Sequence, residues 1–94
     1  LRCKGDSMIN ARIFDGDIVY IRKQEEVENG EIAAVMIADS TETAEATLKR
    51  VYLSEGKIML QAENPSFPPI VFVGEEMNQV RILGKAVAFI SRVK

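Results

Sequence analysis

The stretch Thr47-Leu48-Lys49-Arg50-Val51-Tyr52 decides the fold class. Along it apolar and polar residues alternate with a period of two, the repeat of a strand whose successive side chains point to opposite faces. The same alternation runs through residues 18–22 and 57–60. Residues 31–37 and 83–90 are more continuously apolar, as suits a strand covered on both faces or one hidden in a subunit contact. Turn residues separate the runs: Asp15-Gly16-Asp17, Glu28-Asn29-Gly30, Ser54-Glu55-Gly56 and the segment from Asn64-Pro65 to Pro68-Pro69. No segment keeps a 3.6-residue apolar repeat for three turns, although residues 7–13 can form one short helical turn. Residues 41–46 are small and polar and read as a mobile hairpin tip. The opening residues read as a strand. The expected fold is mostly β, with little helix.

A chain of 94 residues makes one domain, here residues 1–94, with a single modest core and no room for a separate substrate domain. Because the chain opens at Leu1 in what reads as a strand, a longer parent protein is expected. Twelve Lys and Arg residues stand against fourteen Asp and Glu, a net charge of −2, and the basic residues are scattered. That distribution offers no stripe to bind nucleic-acid phosphates. No apolar run approaches the roughly 20 residues of a membrane-spanning helix, and no signal segment opens the chain, so no membrane association is expected. Cys3 is the sole cysteine, which rules out an internal disulfide and favours a cytoplasmic setting, with the thiol in the core. The chain has no histidine, which excludes Ser-His-Asp and Cys-His mechanisms and any histidine-bearing zinc site within it. Neither a metal nor a cofactor is expected.

Two places can carry chemistry. Gly5-Asp6-Ser7-Met8 lies between the opening strand and the Asp15-Gly16-Asp17 turn. A serine just past a strand end can be presented on a tight turn with its hydroxyl exposed, its own N–H and a neighbour's aimed at a developing oxyanion. Taken alone, such a turn does no more than reverse the chain. Lys49 is the second: alternation puts it on one face with Thr47 and Val51. A lysine there usually covers apolar surface with its stem and sends its amine to water. The sharper alternative is a buried amine, whose pKa falls with desolvation until it can act as a base. Without histidine, a lysine is the natural activator of a serine nucleophile.

Taken in order and spacing, Gly5-Asp6-Ser7-Met8, Asp15-Gly16-Asp17 with Val19, Asn29-Gly30, Ala46-Thr47-Leu48-Lys49-Arg50 and Glu63-Asn64-Pro65 resemble the catalytic domain shared by LexA, UmuD and phage repressors. The resemblance covers nearly the whole chain. It implies a compact fold of twisted antiparallel sheets with Ser7 as nucleophile and Lys49 as general base. By the same resemblance the amides of Asp6 and Ser7 form the oxyanion hole, and Met8 and Glu45 lie near the site. It further implies a homodimer built partly from C-terminal strands, here residues 82–90, whose apolar run puts Val87 and Phe89 in the expected interface. By the same resemblance the expected substrate is the protein's own N-terminal linker, cut after a small residue followed by glycine, with a RecA filament as the expected co-protease in an SOS-type response. DNA is then bound only through an upstream domain. This chain contains no Ala-Gly or Cys-Gly dipeptide, so the cleaved bond is expected before Leu1.

Three other readings stand beside this one. A UmuD-like polymerase accessory protein would carry a short arm where a repressor carries a helix-turn-helix. A type I signal peptidase also pairs Ser with Lys, but resembles Ser-Met-Pro-Thr at the nucleophile, whereas Ile9-Asn10 follows Met8 here. A non-catalytic dimerisation module would keep the fold without needing both Ser7 and Lys49.

Overall fold

The alternating runs become strands. In β1 (Ile18–Lys23) Val19 is buried between exposed Ile18 and Tyr20, as alternation requires, whereas the buried residues of β3 (Thr47–Ser54), Leu48 and Val51, lie on opposite faces. β2 (Ile32–Ile37), β4 (Lys57–Gln61), β5 (Ile70–Val73) and β6 (Val80–Ile90) complete the set. The computed structural model describes residues 1–38 and 46–91. Most of the hairpin tip read at residues 41–46, and with it Glu45, lies outside the described residues.

All six strands join one antiparallel sheet in the order β1-β6-β2-β3-β4-β5. Its two faces bury different clusters. Val27, Ala33, Val35, Val51, Ile58, Leu60 and Phe72 form one, and Cys3, Met8, Ile13, Val19, Ala34 and Leu48 form the other. Neighbours Ala33 and Ala34 therefore go to opposite cores, which explains why β2 is continuously apolar: it is covered on both sides. The second core exists because the N-terminal segment folds back over the sheet and inserts Met8, which is completely buried.

β6 is long because it serves two neighbours. Its first half pairs with β2 (Ile37↔Val80 to Ala33↔Lys85) and its second half with β1 (Lys23↔Gly84 to Ile18↔Ile90). A register shift interrupts each ladder, leaving Leu83 unpaired against β2 and Val87 unpaired against β1. Such bulges sharpen the local twist and re-aim side chains. Gly84 sits where both ladders meet, and a Cβ there would lie 2.3 Å from the Arg22 carbonyl oxygen and 2.5 Å from Ile21 Cγ2. Only glycine lets the backbones approach this closely.

Two local readings change and a third holds. The opening residues make a single bridge, Arg2↔Ile18, rather than a strand, because the chain must leave the sheet at once to cover its face. β5 and the short 3-10 helix Gly74–Gln79 follow Pro69, where the sequence showed only turn signals up to Pro68-Pro69. Residues 7–13 do hold a helical turn, the 3-10 segment Ile9–Ala11, closed by Arg12 in the left-handed region at φ 65°. Among the described residues no helix is long and apolar enough to cross a membrane.

Candidate active site

Ser7 stands on a turn staked down from both sides. Gly5 takes a left-handed φ of 78°, which a residue with a Cβ rarely adopts, and its N–H donates to Asp15 Oδ1 at 2.8 Å. The Asp6 carbonyl accepts from Ile9 N–H at 3.4 Å, closing the turn that enters the 3-10 segment. The Met8 carbonyl takes the N–H groups of Ala11 and Ile13 at 3.0 and 3.3 Å, and the Met8 side chain anchors the turn in the core. Asp17 supports the neighbouring turn from inside: it is buried, and its Oδ2 accepts from Phe14 N–H at 2.8 Å.

A third tie comes from the loop after β4. Asn10 N–H donates to the Glu63 carbonyl at 2.8 Å, and Asn64 Nδ2 donates to the Asp6 carbonyl at 2.8 Å. Glu63 is in turn ion-paired with Arg50 of β3. The loop thus links the strand that bears Lys49 to the turn that bears Ser7. Among the hydrogen bonds of the described residues, none uses the N–H of Asp6, Ser7 or Met8, so these donors have no acceptor among those residues.

Ser7 is half-buried and borders a cleft of about 410 Å³ whose other walls include Cys3, Lys4, Ala46, Thr47 and Leu48. The residues that lead into Lys49 therefore form a wall of the cleft that Ser7 enters. Lys49 is itself half-buried, paired across the ladder with Ala33, between Leu48 in one core and Val51 in the other. Burial pulls its pKa below the ordinary lysine value, and the opposing pull of Cys3 is smaller. No carboxylate among the described residues contributes to that shift. The Cys3 thiol is pushed upward, first by burial and then by the negative charges of Asp17 and Asp15. No hydrogen bond of the described residues joins Ser7 Oγ to Lys49 Nζ. Catalytic hydrogen bonds are often long before substrate binds.

The other expected site residues fall as follows. Asp6 and Met8 flank Ser7 in the turn, while Val87 and Phe89 are well exposed near the end of β6, at 46% and 40%, beside a second cleft of about 530 Å³. Asp15, Asn64, Thr47 and Cys3 were not singled out as site residues from sequence. Asn64 lay in a noted motif and Asp15 in a noted turn, but nothing local tells which carbonyl an asparagine will hold 58 residues away. Among the described residues no cluster of three or more His, Cys, Asp or Glu side chains is placed to hold a metal ion.

The model of the Peptidase S24-like family matches residues 1–87. The chain is 43% identical over 93 residues to the LexA repressor of Caldicellulosiruptor saccharolyticus, covering 99% of this chain and 41% of that protein. It is 46% identical over 87 residues to the LexA repressor of Geobacter metallireducens, with 93% and 40% covered, and 48% identical over 93 residues to that of Frankia alni, with 99% and 33% covered. The chain thus spans about two fifths or less of the length of these relatives. Matched by the family model along nearly its whole length and by relatives sharing over two fifths of its residues, the chain belongs to the Peptidase S24-like family.

Proposed function

We propose that this chain is the serine peptidase and dimerisation domain of a LexA-type repressor, with Ser7 as nucleophile and Lys49 as general base. The observation that carries the reading is an amine whose pKa is lowered by burial, on the strand whose preceding residues wall the cleft that Ser7 borders. In this mechanism neutral Lys49 Nζ takes the proton of Ser7 Oγ as Oγ attacks the carbonyl carbon of the scissile peptide. The developing oxyanion is received by the amides of Asp6 and Ser7, which have no acceptor of their own among the described residues. Lys49 then gives its proton to the departing amine, and in the second half activates the water that hydrolyses the acyl-enzyme.

The substrate is the protein's own N-terminal linker, cut between a small residue and glycine. No Ala-Gly or Cys-Gly bond occurs within this chain. A DNA-binding domain upstream, a RecA filament as co-protease and release of repression in an SOS-type response complete the proposal, together with a homodimer formed through Val87 and Phe89. The test supplies a peptide with an Ala-Gly bond in trans and follows cleavage from about pH 6 to pH 10. The rate should climb as Lys49 loses its proton, and Ser7→Ala and Lys49→Ala should be inactive throughout while still folded. Cleavage by Lys49→Ala as fast as by the parent at neutral pH would make the lysine a surface residue and end the dyad assignment.

A further inference from the structure

The motif Glu63-Asn64-Pro65 has no role in the chemistry above, yet its asparagine reaches across 58 residues to hold the peptide unit immediately before Ser7. We infer that Asn64 is a positioning residue for the oxyanion hole: by holding the Asp6 carbonyl it sets the direction of the Ser7 N–H. The inference rests on the Ser7–Lys49 reading and deepens it.

The argument begins with peptide geometry. The Asp6 carbonyl and the Ser7 N–H belong to one trans peptide unit and therefore point in opposite directions. Asn64 Nδ2 donates to that carbonyl at 2.8 Å, which turns the Ser7 N–H away from Asn64 and leaves it with no protein acceptor among the described residues. The amide's own orientation is fixed, because Asn64 Oδ1 accepts the Ser66 N–H at 3.0 Å, leaving Nδ2 for Asp6. The Asn64 backbone is fixed as well: its carbonyl accepts from Phe67 N–H at 3.0 Å, and the preceding Glu63 is tied to Arg50 by its side chain and to Asn10 by its carbonyl.

A second carbonyl partner, Ile9 N–H, sits at 3.4 Å, near the limit for a hydrogen bond, so Asn64 supplies the firmer hold. Asp15 acts in the same way on the preceding residue, by accepting from Gly5 N–H. A hole whose donors are held before substrate arrives has no reorganisation to complete as charge develops. A glutamine or lysine reaching in from solvent could not do the same, since its many rotamers would have to be frozen first.

The experiment compares the parent with Asn64→Leu, which keeps the branching at Cγ and neutrality but cannot donate, with Asn64→Ala as a second loss of the donor that adds no bulk and Ser7→Ala as control. Cleavage of the Ala-Gly peptide in trans is measured across pH, and the Asp6 carbonyl carbon shift and Ser7 amide shift are read by NMR. We expect kcat of both Asn64 variants to fall about 10- to 100-fold, a share of the roughly 10²–10³-fold that losing a whole oxyanion donor costs. KM and the pH midpoint of the rate should stay where they are in the parent, and the Asp6 and Ser7 signals should move. Parent-like kcat in both Asn64 variants beside an inactive Ser7→Ala would overturn the role of Asn64 alone. A midpoint displaced toward that of an ordinary lysine, with a lower melting temperature, would overturn it too, showing Asn64 to be only a staple of the fold. Ser7→Ala as active as the parent would instead overturn the dyad, and the role of Asn64 with it.

Discussion

Replacing Lys49 by methionine should make the fold no less stable at neutral pH and should remove a pH dependence that the parent possesses. In β3 Lys49 follows Leu48, 4% exposed, stands two residues before Val51, fully buried, and pairs across the ladder with Ala33, also fully buried. Burial lowers its pKa in the folded protein, whereas the unfolded chain returns it to about 10.4. Well below the folded midpoint both states carry the proton, and the cost of burying the ammonium is fully present. Between the folded and unfolded midpoints the native amine is neutral while the unfolded one is charged, so unfolding takes up a proton and stability rises with pH. One proton corresponds to a slope of at most about 1.4 kcal/mol per pH unit within that window, and the rise stops near the unfolded value. Methionine keeps the length of the stem and its apolar contacts but has nothing to titrate, so it lacks this slope. The Cys3 thiol, raised in the fold, acts with the opposite sign: its stabilising share is lost as pH climbs from the unfolded thiol value toward the folded one. That contribution is present in parent and variant alike and largely cancels in their difference. Urea unfolding of both proteins from about pH 6 to pH 10, with the denaturant slope m checked for constancy, measures the difference directly. The parent should gain on Lys49→Met as pH rises. A difference that stays flat across the range, or that moves against the parent, would refute the claim that Lys49 is desolvated, and with it the physical basis for its acting as a base.

Two further outcomes follow from the sheet. Gly84→Ala should destabilise the fold by at least about 1–3 kcal/mol, because the added Cβ meets the Arg22 backbone and β6 is held on both sides; thermal unfolding reads this as a lower melting temperature, and an unchanged one would mean that the ladders can part at little cost. Val87→Glu or Phe89→Glu should shift sedimentation toward the monomer, since each places a charge among the exposed Val87, Phe89 and Ile90 at the end of β6. If neither changes the sedimentation behaviour at any concentration, the proposed interface at Val87 and Phe89 is refuted.

Much of the architecture is written in local pattern. Alternation marks β1 and β4 because each packs a core with one set of its side chains, whereas β3 sends Leu48 and Val51 to opposite cores, and more continuously apolar runs mark β2 and β6. The absence of histidine excludes a histidine-based mechanism within the chain, and the motif order points to the family. What local pattern does not contain is pairing. β5 is a four-residue apolar run with neither alternation nor length to announce it, and it becomes a strand because β4 offers it an edge through Lys57↔Val73 to Leu60↔Ile70. The opening residues have the composition of a strand, yet keep one bridge, because burying Met8 requires the chain to leave the sheet and cover its face. Ser7 and Lys49 could be named from sequence, but the lowered pKa of Lys49 depends on Leu48 and Val51 each having a core to enter, which only the folded sheet provides. The hold of Asn64 on the Asp6 carbonyl belongs wholly to tertiary structure, since a hydrogen bond has no sequence signature until the fold brings donor and acceptor within 2.8 Å.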